Sequence, residues 1–240
     1  MRSPILMVLV GVGLLVGAAA QAATAPAPRW LRTPVCPLVS GLPRQEGDFI
    51  LGRVSEIARD AGAPLAAENC TANLYILVSR EPKALLEGMQ KRNRKYTFGP
   101  DASPSAVDDF IATARPVRVW YDTNLETAYG LPPGDGYPDS VVDFDVISKS
   151  DSSHILANVV YSFSRIFVVV DANRLQGVSR GQLADYVGVV GLLQLRHDAR
   201  FIEEASILKL FDQDPHSAPA GLTDWDRNAL KSLYATDATR

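Results

Sequence analysis

Leu74-Tyr75-Ile76-Leu77-Val78 is an unbroken run of apolar and β-branched side chains with no polar residue alternating through it. Such a run, short and bounded by polar residues, reads as a strand buried on both faces. Its neighbours supply the layers that bury it. Ser79 to Gln90 reads as a helix, with Pro82 in its first turn and Ala84, Leu85 and Met89 facing inward. Upstream, Ile50, Val54, Ile57 and Ala61 repeat at helical spacing over Phe49 to Ala61. Asp48 is placed to cap that helix and Gly62 to end it. Downstream, Ser103 and Pro104 open a helix over Ser105 to Ala114, with Val107, Phe110 and Ile111 on one face. Val117 to Tyr121 then alternates as a strand. Residues 43 to 121 therefore read as a compact α/β unit.

The character changes from Thr123 to Asp151, where Gly130, Pro132, Pro133, Gly134, Gly136 and Pro138 crowd together. This is the composition of a long loop, with a short strand expected at Ser140 to Ile147; loops of that length are commonly functional. Trp120, Tyr121, Tyr129 and Tyr137 flank it and read as loop-packing or contact aromatics. Ile155 to Phe163 and Arg165 to Asp171 read as two strands close enough to form an antiparallel hairpin. A helix follows over Arg180 to Leu195, opened by Ser179 with Gln182 three residues on, the signature of a capping box. Thr223 and Asp226 repeat the device before a last helix that starts at Asp224 and buries Trp225, Ala229, Leu230 and Leu233. The fold expected is α/β (α+β), a small mixed sheet packed with helices in a single domain over residues 43–240.

The N-terminus carries a different signal. Arg2, the apolar run Ile5 to Val16 and the Ala20-Gln21-Ala22 site form the three zones of a cleavable secretory peptide, residues 1–22. Residues 23–42 then form a flexible or extended lead-in. No second run is long enough to span a bilayer, so a periplasmic or secreted protein is expected. An oxidising compartment makes Cys36 and Cys70 a structural disulfide. Their spacing excludes a C-x-x-C redox pair, and two thiols alone are too few for zinc. The net charge of −3 gives no footprint for nucleic acid. The basic run Lys91-Arg92-Asn93-Arg94-Lys95 reads as a solvated helix end, where cations complement the helix dipole.

Three groups of residues invite a chemical reading. Gly177-Val178-Ser179-Arg180-Gly181 matches G-x-S-x-G, whose chemistry needs a strand that turns at the serine straight into a helix. Here the strand ends by Asp171 and Ser179 is already accounted for as an N-cap. Serine-hydrolase chemistry at Ser179, with Asp198 or Asp212 and His216, is thus an alternative reading rather than the leading one. His154, His197 and His216 include no i,i+4 pair that could hold a metal on one helix face. Asp139, Asp143, Asp145 and Asp151 line the long loop, but the β-branched residues between them fit a strand edge better than a calcium loop. Glu203 and Glu204 are adjacent and diverge on a helix. No cofactor motif is present.

The C-terminal third resembles secreted zinc peptidases of the metzincin-like kind. The resemblance rests on the order strand, helix Arg180 to Leu195, the segment Ser206-Ile207-Leu208-Lys209-Leu210-Phe211, then Leu222-Thr223-Asp224 leading to Leu233-Tyr234, over some 70 residues. Gly191-Leu192 matches the glycine that ends the H-E-x-x-H-x-x-G helix. With Gly191 as anchor, Ala184 and Gly188 stand at the two histidine positions and Asp185 at the general-base glutamate. Alanine and glycine bind no zinc, so no water would be activated. The resemblance thus implies a zincin-like scaffold without peptidase chemistry: an exported, non-catalytic protein binding a protein or cell-envelope partner. A metal-dependent enzyme with an unusual ligand set, drawing on His197, His216 and the acidic loop, is a further alternative. The whole chain also resembles uncharacterised exported proteins of Gram-negative bacteria, which implies no activity.

Overall fold

The computed structural model describes residues 28–100, 102–127, 159–194 and 205–235. Strand β1 (Pro37–Ser40) leads through helix α1 (Arg44–Ala61) to strand β2 (Leu74–Ser79). Helices α2 (Pro82–Phe98) and α3 (Pro104–Ala112) precede strands β3 (Val117–Thr127) and β4 (Val159–Asp171). Helices α4 (Arg180–Leu192) and α5 (Asp224–Ala235) complete the order. The strands form one four-stranded sheet in the order β1-β2-β4-β3. β1, β2 and β4 run parallel, and β3 lies antiparallel at the edge beside β4. The sheet is mixed and helices cover both faces, as the α+β reading expected.

That double cover explains the unbroken apolar runs. Leu74, Ile76 and Val78 of β2, with Ile166, Val168 and Val170 of β4, pack against α1 and α4. Leu77 and Val169 face the other way, into a smaller core with Leu86 and Phe98 of α2 and Val107 and Ile111 of α3. β2 is flanked on both edges and its residues alternate between buried and half-buried, none fully exposed, so it needs no polar alternation. α5 packs across α1 and α4.

Local signals are realised with shifted boundaries. α1 starts at Arg44 with Pro43 as its N-cap, and Asp48 lies inside the helix, paired at 3.6 Å with Arg44. Gly62 ends α1 in the left-handed conformation at φ 82°, a position L-residues rarely accept. α2 runs on to Phe98 but breaks at Asn93 (φ −160°, ψ 81°). The Asn93 side chain accepts the Tyr96 backbone N–H at 3.0 Å and so caps the turn beyond the break. The expected helix over Ser105 to Ala114 is α3, with Ser103 Oγ accepting the Ala106 N–H.

Two expectations are corrected. The hairpin expected from Ile155–Phe163 and Arg165–Asp171 is the single strand β4. Arg165 pairs with Asp122 and Phe163 with Thr123, which leaves Ser164 as an extra residue. Its hydroxyl donates to Asp122 O at 3.0 Å. Only Ser164 separates the two runs, too short for even a two-residue hairpin turn, so the chain absorbs the irregularity as a bulge and its partner is β3. The loop expected from Thr123 starts later, because β3 continues to Thr127. The strand expected at Ser140 to Ile147 and the remainder of that loop lie outside the described residues, as do residues 1–22.

The segment before residue 43 contributes to the sheet and the core. β1 comes from the segment expected as a lead-in, and Trp30 is completely buried. Cys36 and Cys70 form a disulfide with Cα atoms 6.1 Å apart, tying the start of β1 to the approach to β2. Among the described residues no helix is long and apolar enough to cross a membrane.

Candidate functional site

Helix α4 carries the positions that the zinc-peptidase resemblance singles out, and each has a neighbour already in place. Ala184 is fully buried. A Cβ on Gly188 would stand 2.6 Å from Ile57 Cδ1, and one on Gly191 2.9 Å from a Leu74 methyl. These glycines allow α4 to lie directly on α1 and on the sheet. The face that would hold a metal is filled by packing.

Asp185, only 3 % exposed, faces α1 and the loop before α5. Its carboxylate accepts from Arg53 Nε at 2.5 Å and Nη2 at 3.3 Å. It also accepts the Leu222 backbone N–H at 2.7 Å. Gly221 passes so close that a Cβ there would meet Asp185 Oδ2 at 2.5 Å. The hydrogen bond to Asp185 raises the Arg53 guanidinium further above its ordinary value, against the opposing effect of burial. Asp185 is thus a structural hub: its charge and hydrogen-bonding capacity are satisfied by α1 and the incoming loop.

Ser179 performs its capping role. Its hydroxyl accepts the Gln182 N–H at 3.1 Å while Gln182 Oε1 accepts the Ser179 N–H at 3.0 Å. The Gln182 amide donates onward to Pro215 O and Pro219 O at 2.9 and 3.0 Å, drawing that loop over the start of α4. His216 consequently lies beside Gly177, its Nε2 3.5 Å from where a Cβ would be. No hydrogen bond joins His216 to Ser179 among the described residues. A short 3-10 helix, Ala172–Arg174, separates β4 from α4, so the strand-to-serine elbow is not formed.

The buried carboxylate of Asp226 organises the other C-terminal elements. It accepts from Ser206 Oγ at 2.5 Å, and from the Ile207 N–H, the Thr223 N–H and Thr223 Oγ1 at 2.9 Å each. The Ser206-Ile207 turn and the start of α5 are tied together through this single side chain. Among the described residues no three His, Cys, Asp or Glu side chains gather as a metal site. His154, His197, Asp198, Glu203, Glu204 and the acids from Asp139 to Asp151 lie outside the described residues, as do Tyr129 and Tyr137.

A cleft of about 320 Å³ opens between α1 and α5. Arg53, Glu56 and Asp60 line it from α1, with Arg53 paired to Glu56 at 2.8 Å, and Arg227 and Lys231 line it from α5, so both signs of charge face the cleft. Ile57, Leu222 and Leu230 contribute apolar surface. The loop that brings Leu222 there is the one Asp185 holds. Sequence reading missed this cleft because its walls are 170 residues apart along the chain; Arg227 and Lys231, one turn apart on an amphipathic helix, were the available signal.

No protein-family model, curated protein or solved structure matches this chain.

Proposed function

We propose that the chain is an exported, non-catalytic binding protein on a degenerate zincin-like scaffold. The observation that carries this reading is the state of α4. Ala184 and Gly188 are occupied by core packing and Asp185 by Arg53, so the helix face that would assemble a metal centre serves the interior. The tie from Asp226 to both the Ser206-Ile207 turn and the start of α5 supports the scaffold part, because those are the segments on which the resemblance rests. The Cys36–Cys70 disulfide supports export. The cleft between α1 and α5 suits a ligand, or a partner's side chains, carrying both signs of charge over an apolar patch.

Two measurements on folded protein, purified without chelators, test the reading together. Fluorophosphonate labelling is expected to be absent, and elemental analysis is expected to find no stoichiometric transition metal. Labelling that disappears in Ser179→Ala would establish the serine-hydrolase alternative instead. Stoichiometric zinc lost on mutation of His197 or His216 would establish the metal-dependent one.

A further inference from the structure

The kinked end of α2 gathers cations at an exposed corner of the molecule. Lys91, Arg92 and Lys95 are exposed, and Arg94 is half-buried with its guanidinium donating to Ala102 O. Arg165, reaching in from β4, places its guanidinium 4.1 Å from the ring centroid of Tyr96. None of these cations forms an ion pair among the described residues. Of the nearby acids, Glu87 lies 3.9 Å from Lys83, Asp108 accepts from the Gln90 amide at 3.0 Å, and Asp122, the cross-strand neighbour of Arg165, lies against Gly99 at the end of α2. A helix end alone accounts for Lys91 and Arg92 just before the Asn93 break. Arg165 arrives from another element, and Tyr96, hydrogen-bonded to Tyr75 of β2, is 52 % exposed among these cations.

Lys91, Arg92, Arg94 and Lys95 put four cations within five consecutive positions, on a protein whose net charge as a whole is −3. We infer that this corner of the molecule, Lys91 to Tyr96 with Arg165, docks on the anionic headgroups of a lipid bilayer. A polybasic segment beside an amphipathic aromatic ring is suited to that interface, the cations meeting phosphates and the phenol lying at headgroup depth. A single-stranded nucleic acid or a sugar chain fits less well. Arg165 already covers one face of the Tyr96 ring, and the net negative charge elsewhere opposes a long polyanion wrapped over the surface. The inference is independent of whether α4 is a degenerate zinc helix.

Co-sedimentation of the full chain with phosphatidylcholine vesicles, with and without phosphatidylglycerol, tests it. Binding is expected only to the anionic vesicles and is expected to fall with added salt. A K91Q/R92Q/K95Q variant, altered only at exposed positions, should bind about a hundredfold more weakly at low salt, with an unchanged circular dichroism spectrum. Arg165→Gln should weaken binding without abolishing it. Equal binding to neutral and anionic vesicles, or no binding to either, would overturn the inference. So would a triple variant that binds as tightly as the parent. Tight binding to heparin or an oligonucleotide, with none to vesicles, would replace the lipid surface by a soluble polyanion.

Discussion

Asp185 shows how one side chain can look catalytic in a linear alignment and be structural in space. The expected resemblance would give it the part of a zinc peptidase's base, yet its oxygens are shared between Arg53, from a helix 132 positions away, and the Leu222 backbone. Removing a buried charge partner leaves the remaining groups unpaired, which costs more than the net worth of the pair. Asp185→Ala is therefore expected to lower the stability of the fold by about 3 kcal/mol in denaturant titrations. Asp185→Asn keeps an acceptor for Leu222 N–H and should lose less. A catalytic role would produce the opposite pattern, activity lost with stability retained. At the same scale, Ser179 and Gln182 were legible in the sequence, because a capping box is closed by residues three apart. Arg53 was not, since nothing near it in the chain announces its partner.

At the scale of elements, the C-terminus of α4 is the least ordinary. It has no left-handed glycine cap, and its last carbonyls lie among buried residues, where an orphan acceptor is costly. Aromatic side chains from three other elements supply the donors. Tyr121 Oη reaches Val190 O and Leu193 O at 3.0 and 3.2 Å, Trp30 Nε1 reaches Gly191 O at 2.8 Å, and Tyr234 Oη reaches Leu192 O at 2.8 Å. Burial pushes the Tyr234 phenol well above its ordinary value, which keeps its proton in place for this bond. Trp30→Phe preserves most of the buried ring but orphans Gly191 O, and about 1–2 kcal/mol of stability should be lost. Trp30→Ala should lose about 3–5 kcal/mol. A phenylalanine variant as stable as the parent would show that water reaches that carbonyl. The start of α4 was readable from its capping box, but the donors at its C-terminus were not, because each comes from a segment whose position depends on the assembled sheet.

At the scale of the whole molecule, β1 is a short edge strand held by backbone pairing to β2 and by the disulfide. The bridge closes a separation of 34 residues that contains all of α1. Closing such a loop restricts the unfolded chain, and reduction should reduce stability by about 3–4 kcal/mol. Guanidinium titrations of oxidised and reduced protein measure this directly. A reduced form unchanged in midpoint would mean that packing of Trp30 and α1 alone secures the N-terminal strand.

Sequence alone determined what depends on neighbours within a turn or a strand. The buried runs of β2 and β4, the serine and threonine caps of α3, α4 and α5, and the glycine stop of α1 all follow from local hydrogen bonding and side-chain periodicity. The cysteine pair was legible because only two thiols exist to be joined. Tertiary structure decided which strands pair, and so why β4 is a single bulged strand rather than a hairpin. It also decided that Trp30 belongs to the core, that Gly188 lies against Ile57 and Asp185 pairs with Arg53, and that Arg165 meets Tyr96 at the break in α2. These contacts depend on sheet register and helix packing between segments distant in the chain, and no local pattern specifies either.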